Sequence, residues 1–229
     1  MTLLARLTAL FCPALLLAAC AAPMPPAGEA RILAMGDSLL AWNRLTGNSI
    51  ADAVEDTLEE PVADRAVSGA RHLYRLPLTG AAGMNIAKQY RPGPWEWIIV
   101  NGGGNDLWLG CGCLACDGKL DRLIAEDGQS GAIPDLLTRL RGTGAKVIYL
   151  GYLRSPGRGS LIEHCRDEGN TLERRIARHA EGDPGVVFLS LKGMVPPGDR
   201  SYHALDMIHP SVKASRKIGG RIAAVIRAQ

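Results

Sequence analysis

The chain has 229 residues, 47% of them hydrophobic and 21% charged. That is the make-up of an ordinary folded soluble protein, long enough for one α/β domain with a full core. Its 26 Lys and Arg residues against 23 Asp and Glu leave a net charge of +3, or +2 without the first 19 residues, which carry Arg6 and no acid. So small a charge, without a basic run, excludes nucleic acid as the main partner.

Arg6 is followed by an apolar run over residues 7–19, interrupted only at Thr8 and too short to span a bilayer as a stable anchor. Residues 1–20 therefore read as an export signal. Leu17-Ala18-Ala19-Cys20 resembles the bacterial lipobox, whose cysteine is acylated and becomes the mature N-terminus; ordinary cleavage after the small-x-small stretch Ala19-Cys20-Ala21 is the alternative. Ala21 in place of an acid points, by analogy with other lipoproteins, to a periplasmic protein tethered to the outer membrane through Cys20. Residues 21–29 read as a stiff Pro/Ala tether, which leaves 30–229 as a single domain.

Within that domain, residues 31–35 are a short apolar run ended by glycine, as in a buried parallel strand. Residues 49–58 place Ile50, Ala53, Val54 and Leu58 at helical spacing, with acids on the other face. A weaker strand follows over 62–67, and a stronger one over Trp97–Val100 runs into a glycine cluster. Helices are expected over 133–140, with Pro134 in the first turn, over 163–179, and from Ser211 onward; strands are expected over Lys146–Leu150 and Val186–Leu189. Five strands alternating with helices predict a three-layer α/β/α sandwich around a five-stranded parallel sheet, with the ligand site beyond the C-terminal strand ends. The stretch 107–131 reads as a long loop overhanging that edge, and residues 155–160 as its other wall.

Four short blocks fall in order along this frame: Gly36-Asp37-Ser38-Leu39, Gly69 within Val67-Ser68-Gly69-Ala70, Gly103-Gly104-Asn105-Asp106, and Asp206-Met207-Ile208-His209. Ser38, Gly69 and Asn105 each come just after one of the first three predicted strands, so three motifs land on one sheet edge. A serine, a carboxylate and an imidazole are the groups that turn a weak hydroxyl nucleophile into an attacking one. In these blocks the chain resembles the SGNH, or GDSL, family of hydrolases, and the resemblance covers about 32–210 with little to match between the blocks. It implies a flavodoxin-like fold and a serine hydrolase cleaving carboxylic esters: small acyl or lipid esters, or acetylated glycans. A catalytically silent envelope protein binding glycan or lipid is the alternative.

The resemblance makes Ser38 the nucleophile, His209 the proton acceptor, and Asp206 the group that holds the imidazole. The oxyanion hole is expected from the backbone N–H groups of Ser38 and Gly69 and the side-chain amide of Asn105. Trp108 and Leu109 are expected to wall the acyl pocket, and His72 to contact substrate; His203 reads as a surface histidine. Trp42, Trp95 and Trp97 read as packing residues, and Asp37 and Asp106 as acceptors for loop backbones. No metal or nucleotide cofactor is implied, since the glycines at 102–104 lack the spacing of either phosphate-binding motif.

Cys111, Cys113, Cys116 and Cys165 remain in the domain. In a reducing compartment they could bind zinc, but in an exported protein two disulfides are expected. Of the three pairings, the expected one ties Cys165 to the 111–116 loop and closes a small ring with the other two, bracing a cover over Ser38.

Overall fold

The computed structural model describes residues 30–157 and 159–229. The export segment, Cys20 and the tether lie outside the described residues. In chain order the elements are β1 (Ile32–Met35), α1 (Ser38–Ala41), α2 (Ile50–Leu58), β2 (Val62–Asp64), α3 (Pro77–Thr79), β3 (Trp97–Val100), α4 (Gly104–Cys111), α5 (Asp117–Leu123), α6 (Ala132–Arg141), β4 (Lys146–Leu150), α7 (Arg166–Glu181), β5 (Val186–Leu189) and α8 (Val212–Arg227). The strands form one parallel sheet in the order β2-β1-β3-β4-β5. No helix among the described residues is long and apolar enough to cross a membrane.

Alternation along the buried strands feeds two cores. Leu33, Met35, Ile98, Val100, Val147 and Tyr149 face the layer of α4 to α7. Ile32, Ala34, Trp97, Ile99, Ile148 and Leu150 face α1, α2 and α8. Both faces of every central strand are therefore dry, which is why these segments read as continuous apolar runs rather than alternating ones. Helix α2 is closed by a reciprocal cap, Ser49 accepting from the Asp52 N–H and Asp52 from the Ser49 N–H.

Three predicted elements differ in detail. Strand β2 stops at Asp64, although Arg65 and Val67 go on donating to Ala34 and Gly36 carbonyls (2.8 and 3.0 Å). The expected long helix from 163 begins as a 3₁₀ turn, Glu163–Cys165, before α7. The expected overhanging loop is not a loop: residues 104–123 are mostly α4 and α5, because Leu107, Leu120 and Leu123 find a dry surface to bury against.

The sheet order reverses direction between β1 and β3. Ligands in open parallel sheets bind at such a switch point, beyond the carboxyl ends of the strands. Ser38 leaves β1 and Asn105 leaves β3, so the two blocks flank it.

Candidate active site

Asp37, not Ser38, caps α1: its Oδ1 accepts from the Leu39 N–H at 2.9 Å. Ser38 is then the first helical residue, whose N–H has no acceptor within its own helix. Neither the Ser38 nor the Gly69 N–H has a partner among the described residues. Gly69 sits at φ +79°, a left-handed conformation that a side chain would strain. The Asn105 amide donates to the Ala70 carbonyl at 3.2 Å, which ties the third block to the second and leaves its other hydrogen free for a ligand.

Asp106 does the same from below, accepting from the N–H groups of His72 and Leu73 at 2.9 Å each. Burial pushes its carboxyl up, and those two donors offset part of the rise. Asp37 is likewise buried and pushed up to about 6, against the hydrogen bonds it accepts from Tyr152 and Leu39. The Tyr152 hydroxyl donates to Asp37 Oδ2 and accepts from the Gly104 N–H at 2.9 Å. One phenol thus bridges the serine block and the asparagine block. A Cβ at Gly104 would stand 2.7 Å from the Tyr152 ring, so this approach requires glycine.

At the far end of the chain, Asp206 folds back on its own turn. Its Oδ1 accepts from the Ile208 and His209 N–H groups (2.9 and 3.0 Å), and its Oδ2 meets His209 Nδ1 at 2.6 Å. Burial raises the Asp206 carboxyl, but the hydrogen bonds from His209 and from the two N–H groups win and hold it below the ordinary carboxylate range. An ionised carboxylate only accepts, so Nδ1 carries the proton and Nε2 keeps a lone pair. Met207 at φ +58° absorbs the tightness of the turn. The His209 ring lies face to face with Trp42, with centroids 3.9 Å apart and planes 7° from parallel.

Ser38, Gly69, Asn105 and His209 line one cleft of about 660 Å³. Its walls are largely apolar, with Trp108 and Leu109 from α4 on one side, Pro156 and Gly157 on another, and Cys165 at the head of α7. Cys113 is bonded to Cys165 and Cys111 to Cys116, so the α4–α5 connection is fastened to the segment that opens α7. All four sulfurs are spent in these bonds, which leaves the zinc alternative no thiolates.

Two histidines are placed differently from expectation. His72 does not line the cleft; its ring is buried, with Nε2 3.0 Å from the Tyr149 hydroxyl, which itself donates to the Gly102 carbonyl. Burial pushes it down to about 3. His203 is buried rather than on the surface, because its segment runs under the Asp206 turn, where Ala204 donates to the His209 carbonyl at 2.8 Å. Trp42, read as packing, instead faces the imidazole. Tyr152 and Gln89 support the site from outside any of the four blocks. Gln89 is buried and holds the serine loop by accepting from the Gly36 N–H (2.7 Å) and donating to its carbonyl (2.8 Å). No local pattern announces either residue, since each acts on a partner more than fifty positions away.

Residues 34–217 match the GDSL-like lipase/acylhydrolase family. The chain belongs to that family. Among solved structures it is similar to a GDSL-like lipase from Bacteroides thetaiotaomicron, with 17% identity over 91% of this chain and 93% of that one and a TM-score of 0.59. It is also similar to a carbohydrate acetylesterase family member from Sinorhizobium meliloti, with 15% identity over 86% and 97% and a TM-score of 0.57. At such identities the likeness is one of fold. No curated protein matches the chain.

Proposed function

We propose that the protein hydrolyses carboxylic esters through an acyl-enzyme on Ser38. One observation carries it: Ser38, His209, Gly69 and Asn105 line a single cleft while Asp206 holds the outer nitrogen of the imidazole at 2.6 Å. Ser38 Oγ attacks the ester carbonyl carbon as His209 Nε2 takes its proton. The carbonyl oxygen becomes an oxyanion, received by the unpartnered N–H groups of Ser38 and Gly69 and by the Asn105 amide. Collapse expels the alcohol, which leaves with the proton from His209. Water then attacks the acyl-enzyme by the same path in reverse, giving the acid and free Ser38. Asp206 stays ionised throughout and stabilises the imidazolium.

A cleft of about 660 Å³ with Trp108, Leu109, Leu153 and Val195 in its walls is larger and more apolar than an acetyl group needs. We therefore read the preferred substrate as an ester whose acyl chain runs several carbons. We place the enzyme in the periplasm, anchored to the outer membrane through Cys20; the lipobox-like sequence and the pairing of all four domain cysteines support that placement.

The test is turnover of p-nitrophenyl esters of short and medium chain length by the wild type and Ser38→Ala. Turnover abolished in folded Ser38→Ala, with medium chains preferred, is the expected result. Equal rates for the two proteins would refute the role of Ser38. Labelling of Ser38 by a fluorophosphonate reports activation independently of the ester panel.

A further inference from the structure

We infer that Trp42 is the positioning residue for His209, so that one turn of helix sets the spacing between nucleophile and base; this rests on the reading of His209 as the base. Trp42 is the C-cap of α1, four positions after Ser38, and its N–H donates to the Ser38 carbonyl at 2.9 Å. Residues so spaced share a helical face. The indole lies flat against the imidazole at 3.9 Å, yet Trp42 does not line the cleft. It therefore touches the base and not the substrate.

The next residue strengthens the grip. Asn43 sits at φ +65°, a conformation asparagine tolerates, and donates to the Pro210 carbonyl (3.1 Å) and to Ser215 Oγ (3.3 Å). Two consecutive residues after the nucleophile helix thus hold the base and the residue that follows it. Asp206 fixes the imidazole by its edge through Nδ1, which still allows the ring to rock about that bond. Trp42 fixes it by its face and removes that freedom. The stack also changes strength during the reaction. A neutral imidazole becomes an imidazolium as Ser38 gives up its proton, and a cation gains from an aromatic face. An interaction that is stronger in the transition state than in the ground state raises kcat rather than lowering KM. The acids that face this ring are Asp206 and, more remotely, Asp37.

The experiment compares the full chain with Trp42→Phe, which keeps an aromatic face, and Trp42→Leu, which removes it. Ester turnover gives kcat and KM, and intrinsic fluorescence is followed against pH. Trp42→Leu is expected to lose kcat by roughly ten- to a hundredfold with KM unchanged, the cost of a misplaced catalytic group, while Trp42→Phe recovers most of it. An imidazolium quenches an indole stacked on it, so wild-type fluorescence should fall on acidification. That fall should vanish in Trp42→Phe and in His209→Gln. Undiminished kcat in Trp42→Leu, or a loss confined to KM, would overturn the positioning role, as would a fluorescence step that persists in Trp42→Phe. A wild type that turns over no ester would sink the hydrolase reading and the positioning role with it. That outcome is told apart from a missing stack because the fluorescence step would remain.

Discussion

Acid should destabilise this fold through His72. In the unfolded chain that histidine titrates near 6.5, whereas burial pushes it down to about 3 in the folded protein. Below 6.5 the unfolded chain binds a proton that the folded one refuses, so stability falls as pH falls, by about 1.4 kcal/mol per pH unit, until the folded value is reached. Between neutrality and about pH 4.5 the loss from this one ring is roughly 2.7 kcal/mol, a large share of a typical domain's stability. Asp37 works in the opposite sense. Its folded value of about 6 lies above the ordinary 3.8, so the folded state binds its proton first and stability rises as pH falls across that window. A wild-type curve alone would mix the two. The comparison is therefore with His72→Gln, whose amide can still donate to the Tyr149 hydroxyl but does not titrate. Urea unfolding of both proteins, disulfides intact, at neutral pH and near pH 4.5 gives the double difference, in which Asp37 cancels. His72→Gln should gain about 2–3 kcal/mol relative to the wild type on acidification. Parallel pH dependences, agreeing within about 0.5 kcal/mol, would refute the argument.

Two further outcomes follow from the geometry. Tyr152→Phe leaves Asp37 and the Gly104 N–H without the hydroxyl that joins them; it should cost about 1–3 kcal/mol in denaturant unfolding and lower ester turnover, and a variant with wild-type values in both would count against the bridge. Replacing Cys113 and Cys165 by Ala opens a bond across a sequence separation of 52, and replacing Cys111 and Cys116 one across 5. Loop-closure entropy then makes the first pair worth about 4 kcal/mol and the second about 2. Thermal midpoints that ranked the two the other way round would refute the estimate.

The residues that meet at the cleft were legible in the sequence because they are carried by short blocks. Asp206 and His209 lie within one turn, and Ser38, Gly69 and Asn105 each follow a strand whose apolar run marks its end. The strands were legible for the same reason, being buried on both faces. What stayed hidden was the support. Tyr152, Gln89 and Trp42 act through one side chain on partners far along the chain, and single residues carry no period. His72 was misplaced because a polar residue just past the Gly69 block is expected to face a substrate, yet its loop is drawn inward by Asp106 accepting from two successive N–H groups. The helix α5 could have been read: Leu120, Leu123 and Ile124 have the i, i+3, i+4 spacing of a buried face, but the surrounding cysteines and glycines masked it.

The bond from Asn43 to Pro210 closes 167 positions of chain. Helix α8, which follows His209 in the chain, lays Ile218, Ile222 and Ile226 into the core shared with α2. On the proposed reading, the nucleophile near one end of the domain and its base near the other are brought together by these long-range contacts. Ester turnover would then report that the two ends of the domain have met.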